Sequence, residues 1–348
     1  MNRPTVLHLI DDMTTGGVTR VLQFLVENPS LAEQARHEIR SVRRNRVSRI
    51  RLEGDVLVSH LAMNWAGVPD LMRLRSLHAK TPLLHVEHSY TEAFVALNVP
   101  HKRRFVTLLR TGYSLFDRII AVSHTQAEWF SRRRLARSET ITVIQSATDL
   151  SRFRSLPPPE QPLLKIGAIG RLHRQKGFDL LIEAFRRTTR PDLRLDIFGE
   201  GPERQALKEL AGSDPRIRFH GLAHDPVAAI ASVDIVAMPS RWEAFGMVAA
   251  EAQAAGRPVL VNPVDGLRDQ TSIGIIAVPE FSVASWSEAI EELAGLTTSP
   301  AVARDVQNEV KFVSGWKSVL NSLPCFATSG APPAINIGST GLQWPLRK

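Results

Sequence analysis

Between residues 163 and 296, short apolar runs alternate with stretches of helical periodicity, and this alternation constrains the fold more than any other feature. Residues 166–169 form an apolar run ending in Gly170, and 178–187 follow with helical spacing. Residues 193–198 then run into Gly199-Glu200-Gly201, and Pro202 opens a helix reaching Ala211, as proline does at a first helical position. Further strands are expected at 217–219, 234–238, 258–261 and 273–278, with helices at 226–232, 245–255 and 286–296. Strands and helices in strict turn predict a parallel sheet covered by helices on both faces.

The first half repeats the theme more loosely, with strands expected at 6–10, 55–58, 83–87 and 118–122 and helices at 17–26, 103–114 and 125–134. Leu156-Pro157-Pro158-Pro159-Glu160 interrupts both patterns and marks a linker. The expectation is an α/β protein of two doubly wound domains: 1–155, a linker over 156–162, and 163–326, with a poorly ordered tail over 327–348. At 348 residues and 43% hydrophobic content, the chain suits two cores better than one. A single cysteine, Cys325, leaves no internal disulfide and fits a reducing compartment. No apolar run approaches the roughly 18 residues of a membrane span, and MNRPTVLHLIDD lacks the long apolar segment of a secretory signal. The expected location is cytoplasmic. The net charge is +8, with basic residues gathered at 36–51, 102–110 and 132–137. Solvated surface explains any one stretch, but three in one half predict attraction to an anionic membrane surface on its inner face. No nucleic-acid-binding motif is present, so nucleic acid is not an expected partner.

Ligands of open α/β sheets bind beyond the carboxyl ends of the strands, so the turns there hold the candidates. After the first strand, Gly16 and Gly17 expose N–H groups at a helix start, a setting that favours an anion. An ordinary tight turn explains them equally well, and the pattern is not the G-x-G-x-x-G of dinucleotide sites. In IGRLHRQKGF, Arg171 and Lys176 are flanked by glycines and suit a diphosphate, although surface cations are the commoner case. Gly199 lies in a turn against which a flat base fits. RWEAFGMVAAE carries Glu243 and Glu251 around an apolar segment, and carboxylates are rarely buried without a partner. Along one helix they would be separated by about 12 Å. That exceeds the roughly 5–9.5 Å of a glycosidase pair, but it fits one ligand polar at both ends with phosphates at the helix start between them. Two solvent-facing glutamates are the alternative, weakened by small apolar neighbours. In LLHVEHS, His88 ends a strand, placed to bind a sugar hydroxyl or shuttle a proton, while His85 reads as structural.

Taken together, IGRLHRQKGFDLLIEAF, IIAVSHTQAEWF and the E-x7-E spacing in SRWEAFGMVAAEAQAAGRPVL resemble the retaining glycosyltransferases of the GT-B fold, family four. The resemblance runs from the Gly16-Gly17 turn to about Leu323. It implies two Rossmann-like domains facing a cleft and transfer of a hexose from a UDP- or GDP-linked sugar to a saccharide or lipid-linked acceptor in cell-surface polysaccharide synthesis. It further implies that Arg171 and Lys176 bind the donor diphosphate, Glu243 the sugar hydroxyls and Glu251 the ribose. Gly16 and Gly17 would lie beside the phosphates and His88 near the transferred sugar. The family needs no metal or cofactor, and no D-x-D motif is found. Two departures stand out. Ser146-Ala147-Thr148-Asp149 replaces the family's N-G-V-D, and the segment between the first helix and Asp55 is short. The first departure supports an alternative, a nucleotide-sugar-binding scaffold without transfer activity. A nicotinamide dehydrogenase shares the architecture, but the missing fingerprint argues against it.

Overall fold

The structure is a computed structural model that describes residues 3–14, 16–159, 161–270, 274–296, 300–304 and 307–326. The tail expected over 327–348 lies outside the described residues. The first domain is a six-stranded parallel sheet ordered β2-β1-β3-β4-β5-β6. Its strands are β1 (Thr5–Ile10), β2 (Arg36–Ser41), β3 (Val56–Ser59), β4 (Leu83–Glu87), β5 (Arg118–Ala121) and β6 (Ile141–Val143). Helices α1 (Gly17–Glu27), α2 (Pro29–Ala32), α3 (Val68–Leu77), α4 (Glu92–Asn98), α5 (Lys102–Tyr113) and α6 (His124–Arg132) connect them, and α7 (Ser151–Arg154) leads out.

The second sheet is also parallel and six-stranded, ordered β12-β11-β10-β7-β8-β9. It contains β7 (Lys165–Ile169), β8 (Arg194–Phe198), β9 (Ile217–Gly221), β10 (Ile235–Met238), β11 (Val259–Val261) and β12 (Ile275–Ala277). Helices α8 (Phe178–Arg187), α9 (Arg204–Ala211), α10 (Pro226–Ala231), α11 (Met247–Ala254) and α12 (Val283–Ala294) pack around it. The central strands β3, β4 and β10 are buried along their whole length, as strands covered on both faces must be, and β4 buries His85 and Glu87 together with its apolar residues.

Several boundaries shift from the sequence expectation, with α9 starting at Arg204 after Pro202 and α12 at Val283, and two placements bear on how the site is built. Helix α11 starts at Met247 rather than 245, because Gly246 takes a left-handed φ of 95° that ends the preceding loop. Glu243 and Glu251 therefore do not share one continuous helix. The other is helix α13 (Asn308–Asn321), which follows the second domain in sequence yet packs on the first. Phe312 meets Phe24, Trp316 meets His8 edge-on, and Asn321 accepts from Gln34 at 2.6 Å. Residues of α13 thus join the same apolar cluster as Val6, Val21 and Leu25.

Candidate functional site

Every turn singled out above follows the carboxyl end of a strand in one of the two parallel sheets. In the second domain, the turns after β7 and β8 interlock. Gly170 donates to the Phe198 carbonyl at 2.9 Å, and Leu172 donates to the Glu200 carbonyl at 2.9 Å. Gly199 lies at φ 147°, and a Cβ there would stand 1.8 Å from the Gly170 carbonyl oxygen, so only glycine fits. The Arg171 side chain leaves this paired turn exposed to solvent, with no hydrogen bond or ion pair among the described residues.

Lys176 ends a short 3-10 turn (Arg174–Lys176) and reaches the loop after β10. Its Nζ lies 2.5 Å from Glu243 Oε2, with the side chains only 18% and 12% exposed. That loop is held against α8 by a two-pronged contact from Arg241 to Asp179, at 2.8 and 2.6 Å. Ser240 Oγ donates to the same Glu243 oxygen at 3.3 Å. The Lys176–Glu243 pair therefore stands immediately before α11, whose amino end has no side-chain cap. Backbone N–H groups left free at such an end favour negative charge.

Glu251 lies one turn into α11 and is completely buried. Its partner comes from the other domain: Arg20 Nη2, on α1, stands 2.7 Å from Oε1. That ion pair is the one contact the carboxylate has among the described residues, and its Oε2 is buried with no partner among them. Burial pushes the Glu251 carboxyl above its usual range, and the attraction of Arg20 offsets part of that rise.

The first domain supplies the facing wall. Gly16 caps α1 in extended conformation (φ −163°), and a Cβ on Gly17 would meet Met247 Cγ at 3.9 Å, an ordinary contact. Backbone geometry therefore requires glycine at neither position, and what Gly17 provides is room beside the start of α11. Asp12, in the same turn, is held below the usual carboxylate range first by hydrogen bonds from Thr14 and further by the charges of Arg171 and Arg44. His88 follows β4 and its Nε2 lies 2.9 Å from His60 Nδ1. No hydrogen bond or ion pair joins His88 to Lys176 or Glu243 among the described residues. His85 is buried against Glu87 at 3.3 Å, and Tyr113 donates to the same carboxylate oxygen at 2.8 Å. Among the described residues, no group of three or more His, Cys, Asp or Glu is arranged to hold a metal ion.

Sequence reasoning did not find the residues that join the two walls. Arg20 carried only the signal of its helical position four residues after Gly16. Asp265 accepts from the Ala93 N–H of the first domain at 3.2 Å and from the Glu243 N–H at 3.3 Å. Its φ of 43° is one of three positive values among the described non-glycine residues, a strain that the sequence does not display. Asp269 accepts from Thr125 N–H at 3.1 Å and Thr125 Oγ1 at 2.5 Å, and also from the His124 N–H. The Ser146–Asp149 departure proves local. Ala147 is buried and its φ is not positive, so this backbone does not require the missing glycine.

Comparison with known proteins adds an independent line. Residues 5–152 match the family model described as Glycosyltransferase Family 4, and residues 164–295 that described as Glycosyl transferases group 1. One subunit of the human phosphatidylinositol N-acetylglucosaminyltransferase is 30% identical over 258 residues, 70% of this chain and 52% of that protein. A D-inositol 3-phosphate glycosyltransferase of Nocardia farcinica is 33% identical over 208 residues, 51% of this chain and 45% of that protein. The chain spans about half the length of the curated relatives it matches. Among solved structures, Anabaena Alr3699/HepE in complex with UDP and glucose superposes with a TM-score of 0.66 at 18% identity, covering 92% of this chain and 95% of that one. Sucrose-phosphate synthase from Thermosynechococcus elongatus gives 0.69 at 17% identity, covering 91% and 96%.

Proposed function

The chain belongs to the group 1, family 4 glycosyltransferases and has the GT-B fold, and from that premise we propose that it transfers a hexose, with retention of configuration, from a nucleotide-diphosphate sugar to a saccharide or lipid-linked saccharide acceptor. The observation that carries this reading is the cluster at the amino end of α11. There the Lys176–Glu243 pair, the uncapped helix start and the buried Glu251 lie along one short path. A nucleotide-sugar has matching groups in matching order. Glu243 takes sugar hydroxyls, Lys176 with Arg171 and the α11 N–H groups takes the diphosphate, and Glu251 takes the ribose. Gly16 and Gly17 admit the phosphates from the other side, Gly199 borders the base, and His88 faces the transferred sugar.

In this reading the chemical work is charge stabilisation. As the anomeric carbon becomes positive and the diphosphate departs, Lys176 and Arg171 stabilise the leaving oxygens. The reading places that task on side chains rather than on a metal. The two walls exclude water, which protects the activated sugar from hydrolysis. The related Alr3699/HepE has been solved with UDP-glucose, which makes uridine-linked sugars the first donors to try.

The acceptor side is assigned to the first domain. Val95, Ala96, Val106 and Trp129 line a cavity of about 510 Å³ together with Lys102, Arg103, Arg110 and Arg133, and with Glu92 as the one acid among the lining residues. Apolar walls with these basic groups among them suit contact with an anionic lipid surface. Among the described residues, no helix is long and apolar enough to cross a membrane.

The test is a mass-spectrometric screen of UDP- and GDP-sugars with saccharide and lipid-linked acceptors. Turnover is expected for one donor, and Glu243→Ala should lower it by about a hundredfold. Failure to turn over any nucleotide-sugar, together with unchanged donor binding in Glu243→Ala, would overturn the assignment. Sedimentation with vesicles containing anionic lipid should show binding that disappears at high salt. Salt-insensitive binding, or none, argues against the lipid-surface contact.

A further inference from the structure

Four histidines cross the first sheet in a row. His37 lies on β2, His8 on β1, and His60 and His88 directly after β3 and β4, four strands adjacent in the sheet. His37 Nδ1 is 3.1 Å from His8 Nε2, His8 Nδ1 is 3.0 Å from His60 Nε2, and His60 Nδ1 is 2.9 Å from His88 Nε2. Both ring nitrogens of His8 and His60 are therefore used within the row. The nitrogens point at one another in sequence instead of converging on a centre, so the row is a chain of hydrogen bonds. Only its ends are free. His37 Nε2 is buried with no partner among the described residues. His88 Nδ1 has no partner among the described residues and is not among the buried atoms, so it opens toward solvent.

Burial keeps the row uncharged at neutral pH. It pulls His37 and His88 down to about 4, and it holds His8 and His60 well below the ordinary imidazole value. A neutral imidazole has one N–H and one lone pair. Each contact in the row consumes one of each, so the four tautomers are locked together. Either every ring carries its hydrogen on Nδ1, or every ring carries it on Nε2. The second arrangement leaves an N–H on His37 Nε2 buried with nothing to accept it, and orphaned buried N–H groups are the rarer defect. The first leaves only a bare lone pair there and turns an N–H outward at His88 Nδ1. The buried, unpartnered end also gives a proton no exit, so the row is not a conduit to solvent.

We propose that His37, His8 and His60 are positioning residues that fix His88 as the Nδ1–H tautomer, a neutral hydrogen-bond donor toward an oxygen of the sugar substrate. The substrate part of this inference rests on the transferase reading above, whereas the tautomer part does not.

Selective labelling with 15N-histidine and long-range 1H–15N correlation at pH 7 tests the tautomer in the unmodified protein, with His88 identified by the signal lost in His88→Asn. Expected is a protonated, pyrrole-type Nδ1 and a pyridine-type Nε2 on His88. A pyridine-type Nδ1 overturns the proposal without reference to any variant's folding. In His60→Phe, His88 loses its fixed donor and its nitrogens should move toward the averaged shifts of a mixed tautomer. kcat/KM should then fall about tenfold, the effect of losing one well-placed hydrogen bond, while binding of the nucleotide alone is unchanged. His60→Asn, whose amide nitrogen sits near the place of Nδ1, should restore both the shifts and the rate. A His60→Phe protein with unaltered His88 shifts contradicts the locking. Correct shifts in a protein that transfers no sugar leave the lock standing and remove only the transferase reading.

Discussion

Glu251 is a buried carboxylate inside a helix, opposed among the described residues by one guanidinium from the other domain. Its pKa is raised by burial, with Arg20 offsetting part of the effect. A carboxyl whose folded pKa lies above its unfolded value binds protons more tightly when folded. Stability from that group is therefore fully present below the unfolded value of 4.5 and is lost as pH climbs through the folded pKa. Replacing Arg20 by Met removes the offsetting charge, pushes the folded pKa higher and widens the window of loss. Thermal melts of Arg20→Met from pH 4.5 to 8 should show Tm falling more steeply with pH than in the unmodified protein. Parallel curves would mean that Arg20 does not act on Glu251. The spacing of Glu243 and Glu251 was legible in the sequence because it is local. Arg20 was not, because what makes it important is a contact formed only when the domains meet.

At the scale of elements, the strand–helix alternation was readable wherever strands are central and apolar, as in β10. Strand β2 was hidden because an edge strand needs backbone pairing on one side only. Its sequence, RHEIRS, keeps a single side chain buried and carries arginines that read as a charge cluster. The three residues of β6, the opposite edge, were missed for the same reason. Helices α3 and α4 fall in segments without strong periodicity. Helix α13 was not read from the sequence, and an amphipathic face would not in any case say which domain it covers. Its docking predicts a long-range effect. Trp316 is 2% exposed and packs between Phe312 and His8. Trp316→Ala should cost about 3–5 kcal/mol by cavity formation. The loss belongs to the first domain, although the mutation lies beyond the last strand of the second. Urea titration followed by hydrogen exchange should find β1 and α1 amides losing protection. Loss confined to the second domain would contradict the packing described.

At the scale of the molecule, one 3-10 segment (Asp265–Gln270) of the second domain holds two helices of the first. Asp265 meets the amino end of α4 and Asp269 that of α6, both places where a negative charge is stabilised by free N–H groups. With Arg20–Glu251 these contacts hold the two walls together. Asp265 also accepts from Glu243 N–H, so the residue that ties the domains also fixes the loop carrying Glu243. Closure and site assembly are therefore coupled through one side chain, whereas Asp269 contributes to closure alone. This separates two otherwise entangled effects. Asp269→Ala should loosen the domains while leaving the Lys176–Glu243 loop intact. Small-angle scattering should show a larger radius of gyration without nucleotide. Under the transferase reading, a larger share of donor should then be hydrolysed instead of transferred, because water enters a site that closes less often. Asp265→Ala should show the same expansion together with weakened donor binding. If Asp269→Ala weakens donor binding as strongly as Asp265→Ala does, the division of labour between the two aspartates is wrong, and closure by itself governs the site.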